Sequence, residues 1–320
     1  MQEELPFVIT SPILAELDQK RRELSASMLA ANTLAGYQHD WKLFTAWCAK
    51  FTRSPQPASA DTVSLFLTSQ LTAGLKIASA RRRLAAITYY HRLAGFELPG
   101  RFGAMQLLRS AQRQRIERPR RRRPLQIEEL RQICELLIKE GTRMAIRNQA
   151  ILLVGFASAL RRSSIAALTL DDLEFAPEGV ILTVVREKQD QEAKGRYVAI
   201  PHGKHETTCA VRALRSWLAI RPECTNRQVF LCLSQGRKHI GLEPEAIAEI
   251  VKWGVTLIGR DPKHYSGHSL RSGLITAAGE QGLSALLIAE QSGHRSMDVL
   301  RMYMRRTNVF RANTCAALDL

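Results

Sequence analysis

A chain of 320 residues with 45% apolar side chains is long enough to bury two cores, which excludes a wholly disordered segment. Its 46 Lys plus Arg against 30 Asp plus Glu leave a formal charge of +16, favouring polyanionic partners because basic side chains displace the counterions condensed on phosphates. The longest strongly apolar run, residues 150–156, is far too short for a membrane span, and Met1-Gln2-Glu3-Glu4 puts no basic segment before an apolar one, so neither membrane insertion nor a secretory signal is expected.

Residues 1–25 are weakly patterned and read as an N-terminal extension, with Ser11-Pro12 able to start a short helix. From Thr33, the residues Leu34, Tyr37, Trp41, Phe44, Trp47 and Cys48 recur at three and four, an amphipathic helix capped by Asn32 or Thr33. Its aromatic stripe reads as core rather than as a platform for stacking bases. Ser54-Pro55-Gln56-Pro57 breaks the chain, Ala60-Asp61 opens a second helix, and a third follows Gly74 through Leu84, Ile87 and His91. Arg81, Arg82 and Arg83 lie on that third helix beside its apolar face, either as a solvated face or as a face against DNA. Residues 105–115 continue the basic character, so residues 26–117 read as a small, all-helical, basic domain.

Residues 118–124, Arg-Pro-Arg-Arg-Arg-Arg-Pro, form the clearest boundary. Two prolines bar a helix and the mutual repulsion of arginines keeps the segment extended, so Arg120, Arg121, Arg122 and Arg123 can track phosphates from a linker. A second domain, residues 125–320 with a C-terminal tail, mixes helices and strands. Helices are expected at 127–138, 143–160, 206–220, 244–258, 269–280 and 284–291, with Pro244 well placed in a first turn. Strands are expected at 180–185 and 197–200, separated by a polar arm holding Lys188 and Lys194. Cys48, Cys134, Cys209, Cys224, Cys232 and Cys315 have no Cys-x-x-Cys or paired His-Cys spacing, so reduced thiols are expected, with no disulfide and no zinc.

The residues with chemistry to offer are Arg161, Lys188 or Lys194, His268, Arg271, His294 and Tyr303. His268 and Arg271 are three apart at helical spacing, so both lean towards one point. His294 follows a glycine that can end the preceding helix. Paired arginines suit the non-bridging oxygens of a phosphodiester, because the guanidinium fork donates in pairs and keeps its charge. Cations lower a tyrosine's pKa from about 10, which makes Tyr303, among Arg301, Arg305 and Arg306, a better nucleophile. A lysine or histidine can protonate the departing oxygen, and no metal is required.

Ser266-Gly267-His268-Ser269-Leu270-Arg271-Ser272-Gly273, then Gly293-His294-Arg295-Ser296, then Tyr303-Met304-Arg305, resembles the second box of the tyrosine recombinase (phage integrase) family. Ala159-Leu160-Arg161-Arg162-Ser163-Ser164-Ile165 resembles its first box and selects Arg161 over Arg162. The resemblance implies a helical, SAM-like core-binding domain followed by a mainly α catalytic domain with a small β-sheet. It implies that Tyr303 attacks the scissile phosphate to give a 3′-phosphotyrosine and a free 5′-hydroxyl, without ATP or metal. Arg161 and Arg271 would clamp the phosphate, His268 would assist the nucleophile's proton and His294 would hydrogen-bond a phosphate oxygen. Lys188, just after the first expected strand, fits the general acid better than Lys194.

Two departures stand out. Ser164 occupies a position where the family commonly has an acidic residue, for which Asp171 or Asp172 is a spatial substitute to look for, and Ala159 replaces the usual glycine. The implied function is a site-specific recombinase acting on double-stranded DNA, an integrase or resolvase of a mobile element. It would work in the cytoplasm at the nucleoid, as a homotetramer on two sites and a monomer or dimer off DNA. A catalytically silent DNA-binding regulator and a type IB topoisomerase-like enzyme are the alternatives.

Overall fold

The computed structural model describes residues 31–97, 100–115, 122–185, 195–234 and 239–294, with 16, 19, 20, 29, 236 and 296 besides. The chain divides into two compact units between Pro119 and Arg120, within the arginine-proline run. Most of the N-terminal extension, including Ser11-Pro12, lies outside the described residues.

The first unit is helical: α1 (Ala31–Lys50), α2 (Ala60–Thr72), α3 (Ile77–Leu93) and α4 (Arg101–Gln114). Asn32 and Thr33 fall inside α1 rather than capping it, since the helix already includes Ala31. Ser59 caps α2, its hydroxyl accepting from the Thr62 amide at 3.1 Å, which satisfies a donor that has no partner within the helix. The core contains Phe44, Cys48, Phe66, Leu67, Leu84, Ile87, Ala104 and Leu108. The aromatic stripe of α1 is therefore turned inward: Phe44 meets Phe66, and Trp41 stacks on Tyr90 at 4.8 Å between centroids.

Asp40, 0% exposed, is held by two arginines of the Arg81-Arg82-Arg83 triplet of α3. Arg82 donates to it through Nε at 2.7 Å and Nη2 at 3.2 Å, and the Arg83 guanidinium lies 3.5 Å away. A buried carboxylate needs such partners, because desolvation otherwise costs several kcal/mol. The arginine triplet is thus split between a structural ion pair and Arg81, which is exposed and donates to Gln112.

The second unit orders as α5 (Ile127–Glu140), α6 (Arg143–Ser158), α7 (Arg162–Ala167), β1 (Leu173–Ala176), β2 (Gly179–Val184), β3 (Arg196–Pro201), α8 (Ala210–Ile220), α9 (Pro244–Leu257), α10 (His268–Glu280) and α11 (Ala285–Ser292). The three strands are antiparallel in sequence order, with Leu173 opposite Leu182 and Val180 opposite Ile200. β1 and α7 are too short to show a period, and neither was expected from sequence. The helix expected at 206–220 starts at Ala210, because Glu206–Thr208 forms a 3-10 turn and Cys209 is extended. The helix expected at 143–160 stops at Ser158, because Ala159 takes the left-handed region at φ +51.

Helix α6 is buried almost throughout and forms the centre of the core, as its unbroken apolar run requires. Helix α10 packs on it and on the chain entering α5. The Leu125 amide donates to the Ser269 carbonyl at 3.0 Å, and the Arg123 amide to that of His264 at 2.7 Å. Arg122 reaches the Lys263 carbonyl, and Arg123 lies over the Tyr265 ring. The Tyr265 hydroxyl in turn donates to the buried Glu129 at 2.8 Å.

Small side chains permit the close approach of α10. A methyl group at Gly273 would lie 2.3 Å from the Leu125 carbonyl oxygen and 2.6 Å from the Phe156 ring. Backbone cannot yield there as a flexible side chain could. Gly273→Ala is expected to destabilise this unit by about 1–3 kcal/mol, the usual range for overpacking. Chemical denaturation checks it, and an unchanged midpoint would contradict the close packing.

Candidate active site

Four of the six residues singled out for chemistry lie among the described residues, and all four belong to the second unit. Arg161 precedes α7, His268 and Arg271 share one face of α10, and His294 follows α11. Lys188 and Tyr303, like Lys194, Arg120 and Arg121, lie outside the described residues.

Local chemistry sets each position. A tight turn fixes the start of α10: the Ser266 amide donates to the Ser269 hydroxyl at 3.0 Å, the Ser269 amide to the Ser266 carbonyl at 2.8 Å, and the His268 amide to the Ser266 hydroxyl at 3.3 Å. His268 is thereby held in the first turn, and Arg271 one turn later points inward. Arg271 is 1% exposed. Its Nη1 donates to the Ala159 carbonyl at 2.9 Å, and its Nη2 lies 3.1 Å from both ring nitrogens of His294. Ala159 presents that carbonyl through its left-handed backbone, which costs an L-residue roughly 1–2 kcal/mol. The same turn delivers Leu160 and Arg161 to a cavity of about 210 Å³ lined also by Arg162, Ser266, Gly267 and His268.

Ser284 caps the start of α11, and Gly293, at φ +66, ends it. A side chain at Gly293 would be strained, and its Cβ would lie 2.6 Å from Nε of Arg196. Arg196, at the start of β3, donates to the Gln291 carbonyl at 3.0 Å and the Glu290 carbonyl at 3.3 Å. It places a cation against the negative end of α11. The Gln291 amide donates to the carbonyls of Ala157 at 2.8 Å and Ala199 at 3.3 Å, tying α11 to both α6 and β3. The Ser292 hydroxyl lies 2.7 Å from Nδ1 of His294. Arg196, Gln291 and Ser292 were missed in the sequence because each is a single polar residue outside any motif. Only the position of Arg196, directly after the lysine arm, hinted at a role.

The two histidines feel this crowd of cations. His294 is pushed down to about 4, by burial first and then by Arg271, Arg161, His268 and Arg196. His268 is exposed by surface area, yet enough protein surrounds it that desolvation is the larger cause lowering its pKa, followed by Arg271 and Arg161. Both imidazoles are therefore neutral at neutral pH, and the fixed positive charge resides on arginines. Among the described residues no group of three or more His, Cys, Asp or Glu side chains could hold a metal ion.

Neither expected substitute for the missing acidic residue reaches this basin. Asp171 pairs with Arg227, which lowers its pKa, and Asp172 is taken up capping Thr169 at 2.7 and 2.8 Å. Ser164 donates its amide to the Arg161 carbonyl at 2.8 Å. On the exposed side, Glu245 forms an ion pair with Arg162 at 3.0 Å.

A half-buried basin with arginines at its edge and two neutral imidazoles is built for an anion with several oxygens, such as a phosphodiester. The chain belongs to the phage integrase family, the tyrosine recombinases, which are DNA breaking-rejoining enzymes. The family matches residues 123–308, and the phage integrase N-terminal SAM-like domain matches residues 22–96. An integrase/recombinase described as a xerD homolog, from Selenomonas ruminantium, is 33% identical over 92% of this chain and 86% of its own length. The recombinase cre of Escherichia phage P1 is 21% identical over 92% of this chain and 91% of its own. In fold, the integrase of transposon Tn1549 in complex with transposon right-end DNA superposes with a TM-score of 0.65 at 12% identity, covering 91% of this chain and 97% of that one. A lambda integrase dimer bound to a core site gives 0.59 at 16% identity, covering 90% and 93%. Among the described residues no helix is long and apolar enough to cross a membrane.

The depressed pKa of His294 makes stability depend on pH. The unfolded imidazole, near 6.5, binds a proton that the folded one refuses until about 4, so stability falls as pH drops through that window. The thermal midpoint of the DNA-free protein is expected to decline between pH 6.5 and 4, and His294→Gln to flatten the slope. An equal slope in both proteins would remove His294 from the account.

Proposed function

We propose that this protein is a site-specific recombinase that cuts double-stranded DNA through a 3′-phosphotyrosine at Tyr303 and rejoins it. The observation that carries the reading is the convergence of Arg161, His268, Arg271 and His294, from three separate segments, on one cationic basin.

The chemistry then runs without a metal or nucleotide. Arg161 and Arg271 hold the non-bridging oxygens and stabilise the charge that grows on them in the transition state. Tyr303 attacks phosphorus, its proton passing towards His268, while the bond from phosphorus to the 5′-oxygen breaks. Lys188 protonates that leaving oxygen. The broken bond's energy stays in the phosphotyrosine, and attack by a 5′-hydroxyl reverses the step. Arg81 and the linker arginines Arg120, Arg121, Arg122 and Arg123 supply phosphate contacts. Arg82 and Arg83 contribute to DNA binding mainly by fixing that helix against Asp40. Four protomers on two sites, a mobile-element role and action at the nucleoid follow from this reading; the dimer of lambda integrase on its core site supports assembly on DNA.

A catalytically silent DNA-binding regulator is the second reading. It is favoured by Ser164, together with the engagement of Asp171 and Asp172 elsewhere.

Nicked duplexes made from DNA flanking the protein's own gene, incubated in EDTA and run on a denaturing gel, separate the two. Wild type is expected to give a slow protein–DNA band that Tyr303→Phe lacks. Lys188→Ala is expected to lose about 10²–10⁴ in adduct rate, the range for a general acid, and to recover it when sulfur replaces the 5′-oxygen, since a thiolate leaves unprotonated. Lys194→Ala should behave as wild type. Tight binding without any band would favour the silent regulator.

A further inference from the structure

The contact between Ser292 and His294 decides something that the arginines around it leave open. Arg271 Nη2 is 3.1 Å from Nδ1 and 3.1 Å from Nε2, which places it over the face of the ring rather than along the in-plane lone pair of either nitrogen. It does not select a tautomer. Ser292 does. Its side chain is 0% exposed and has two partners, the Ile288 carbonyl one turn back along α11 and Nδ1 of His294.

A carbonyl oxygen only accepts, so the single hydroxyl proton of Ser292 is spent on Ile288. With that proton committed, the serine oxygen can only accept from Nδ1, which must therefore carry the ring's hydrogen. The chain of donation runs from Nδ1–H of His294 to Ser292 Oγ and from Ser292 Oγ–H to the Ile288 carbonyl. Nε2 is left with the lone pair.

We propose that Ser292 is a positioning residue that holds neutral His294 in the Nδ1–H tautomer, so that the imidazole donates to a phosphate oxygen only after Nε2 takes up a proton. The inference deepens the proposed function, and its catalytic half rests on that reading. The charged and titratable groups acting on His294 are His268 and Arg271 of α10, Arg161 before α7 and Arg196 of β3. Three of these are permanent cations that disfavour protonation of the empty site. A phosphodiester entering between them reverses the local field and draws the proton onto Nε2. The hydrogen bond to the scissile phosphate thus forms when substrate arrives and is absent without it.

Nitrogen NMR of the full chain labelled with 15N-histidine tests this directly, His294 being assigned by the signals lost in His294→Gln. Without DNA, at neutral pH, His294 is expected to show a protonated Nδ1 and a lone-pair Nε2. In Ser292→Ala, Nδ1–H would have no acceptor in a buried setting, so the tautomer is expected to shift towards Nε2–H. A wild-type Nε2–H form would overturn the proposal, as would an unchanged tautomer in the variant.

The functional consequence is read as the ratio of Ser292→Ala to wild-type adduct rates on a nicked duplex. A neutral Nε2–H donor needs no extra proton, so this ratio is expected to rise with pH, by up to about tenfold per unit above the bound-state pKa. Taking a ratio cancels the titration of Tyr303 and the lysines. A pH-independent ratio alongside a shifted tautomer would overturn the link to donation. If neither protein forms an adduct, the recombinase reading fails while the tautomer, measured without DNA, is decided separately.

Discussion

A guanidinium with 1% of its surface exposed has lost nearly all of its water, a cost of several kcal/mol unless polar groups replace it. Arg271 meets that requirement in part with the Ala159 carbonyl and His294, and those two contacts fix the rest of the site. The first joins α10 to the turn that carries Arg161. The second joins it to the residue after α11. A single buried cation thereby brings three segments, far apart in sequence, to one point. Burial first, and then the same charge, keep both neighbouring imidazoles neutral, so the basin waits for an anion with its positive charge already in place. Such preorganisation is what makes charge stabilisation effective, because the donors need no reorganisation when the charge develops.

The scaffold is arranged to permit this. Gly273 and Gly155 let α10 sit close on α6 and Leu125, while Gln291 and Arg196 clamp the end of α11 to α6 and β3. Arg196 also begins the strand that follows the lysine arm. Through Arg196 the start of β3 is tied to the end of α11, just before His294. The missing acidic residue has no visible stand-in from Asp171 or Asp172, both of which serve local structure in the chain leading to β1.

Much of this was legible in the sequence, for physical reasons that differ between residues. His268 and Arg271 could be paired because helical spacing alone puts them on one face, and Gly293 marked the end of a helix by its freedom to turn left-handed. The inward aromatic stripe of α1 followed from its period. Arg82 and Arg83 were harder, because an arginine that pairs with a buried aspartate looks in sequence like one that faces solvent; Asp40 lies 42 positions away. β1 and α7 are too short for a period to register. Ser292 and Arg196 act through hydrogen bonds and close approaches that appear only once the chain is folded, so no spacing announces them. Ala159 was noticed as a departure, yet its left-handed backbone and its carbonyl's role emerge only once α6 is seen to end there.

The central claim is that the arginines of this basin receive the phosphate that is cut. A crystal structure of Tyr303→Phe bound to an intact duplex containing the recombination site tests it most directly. One phosphate per bound protomer is predicted to lie within hydrogen-bonding distance, about 2.7–2.9 Å, of both the Arg161 and Arg271 guanidinium groups. A duplex bound with every phosphate outside that basin would contradict the account.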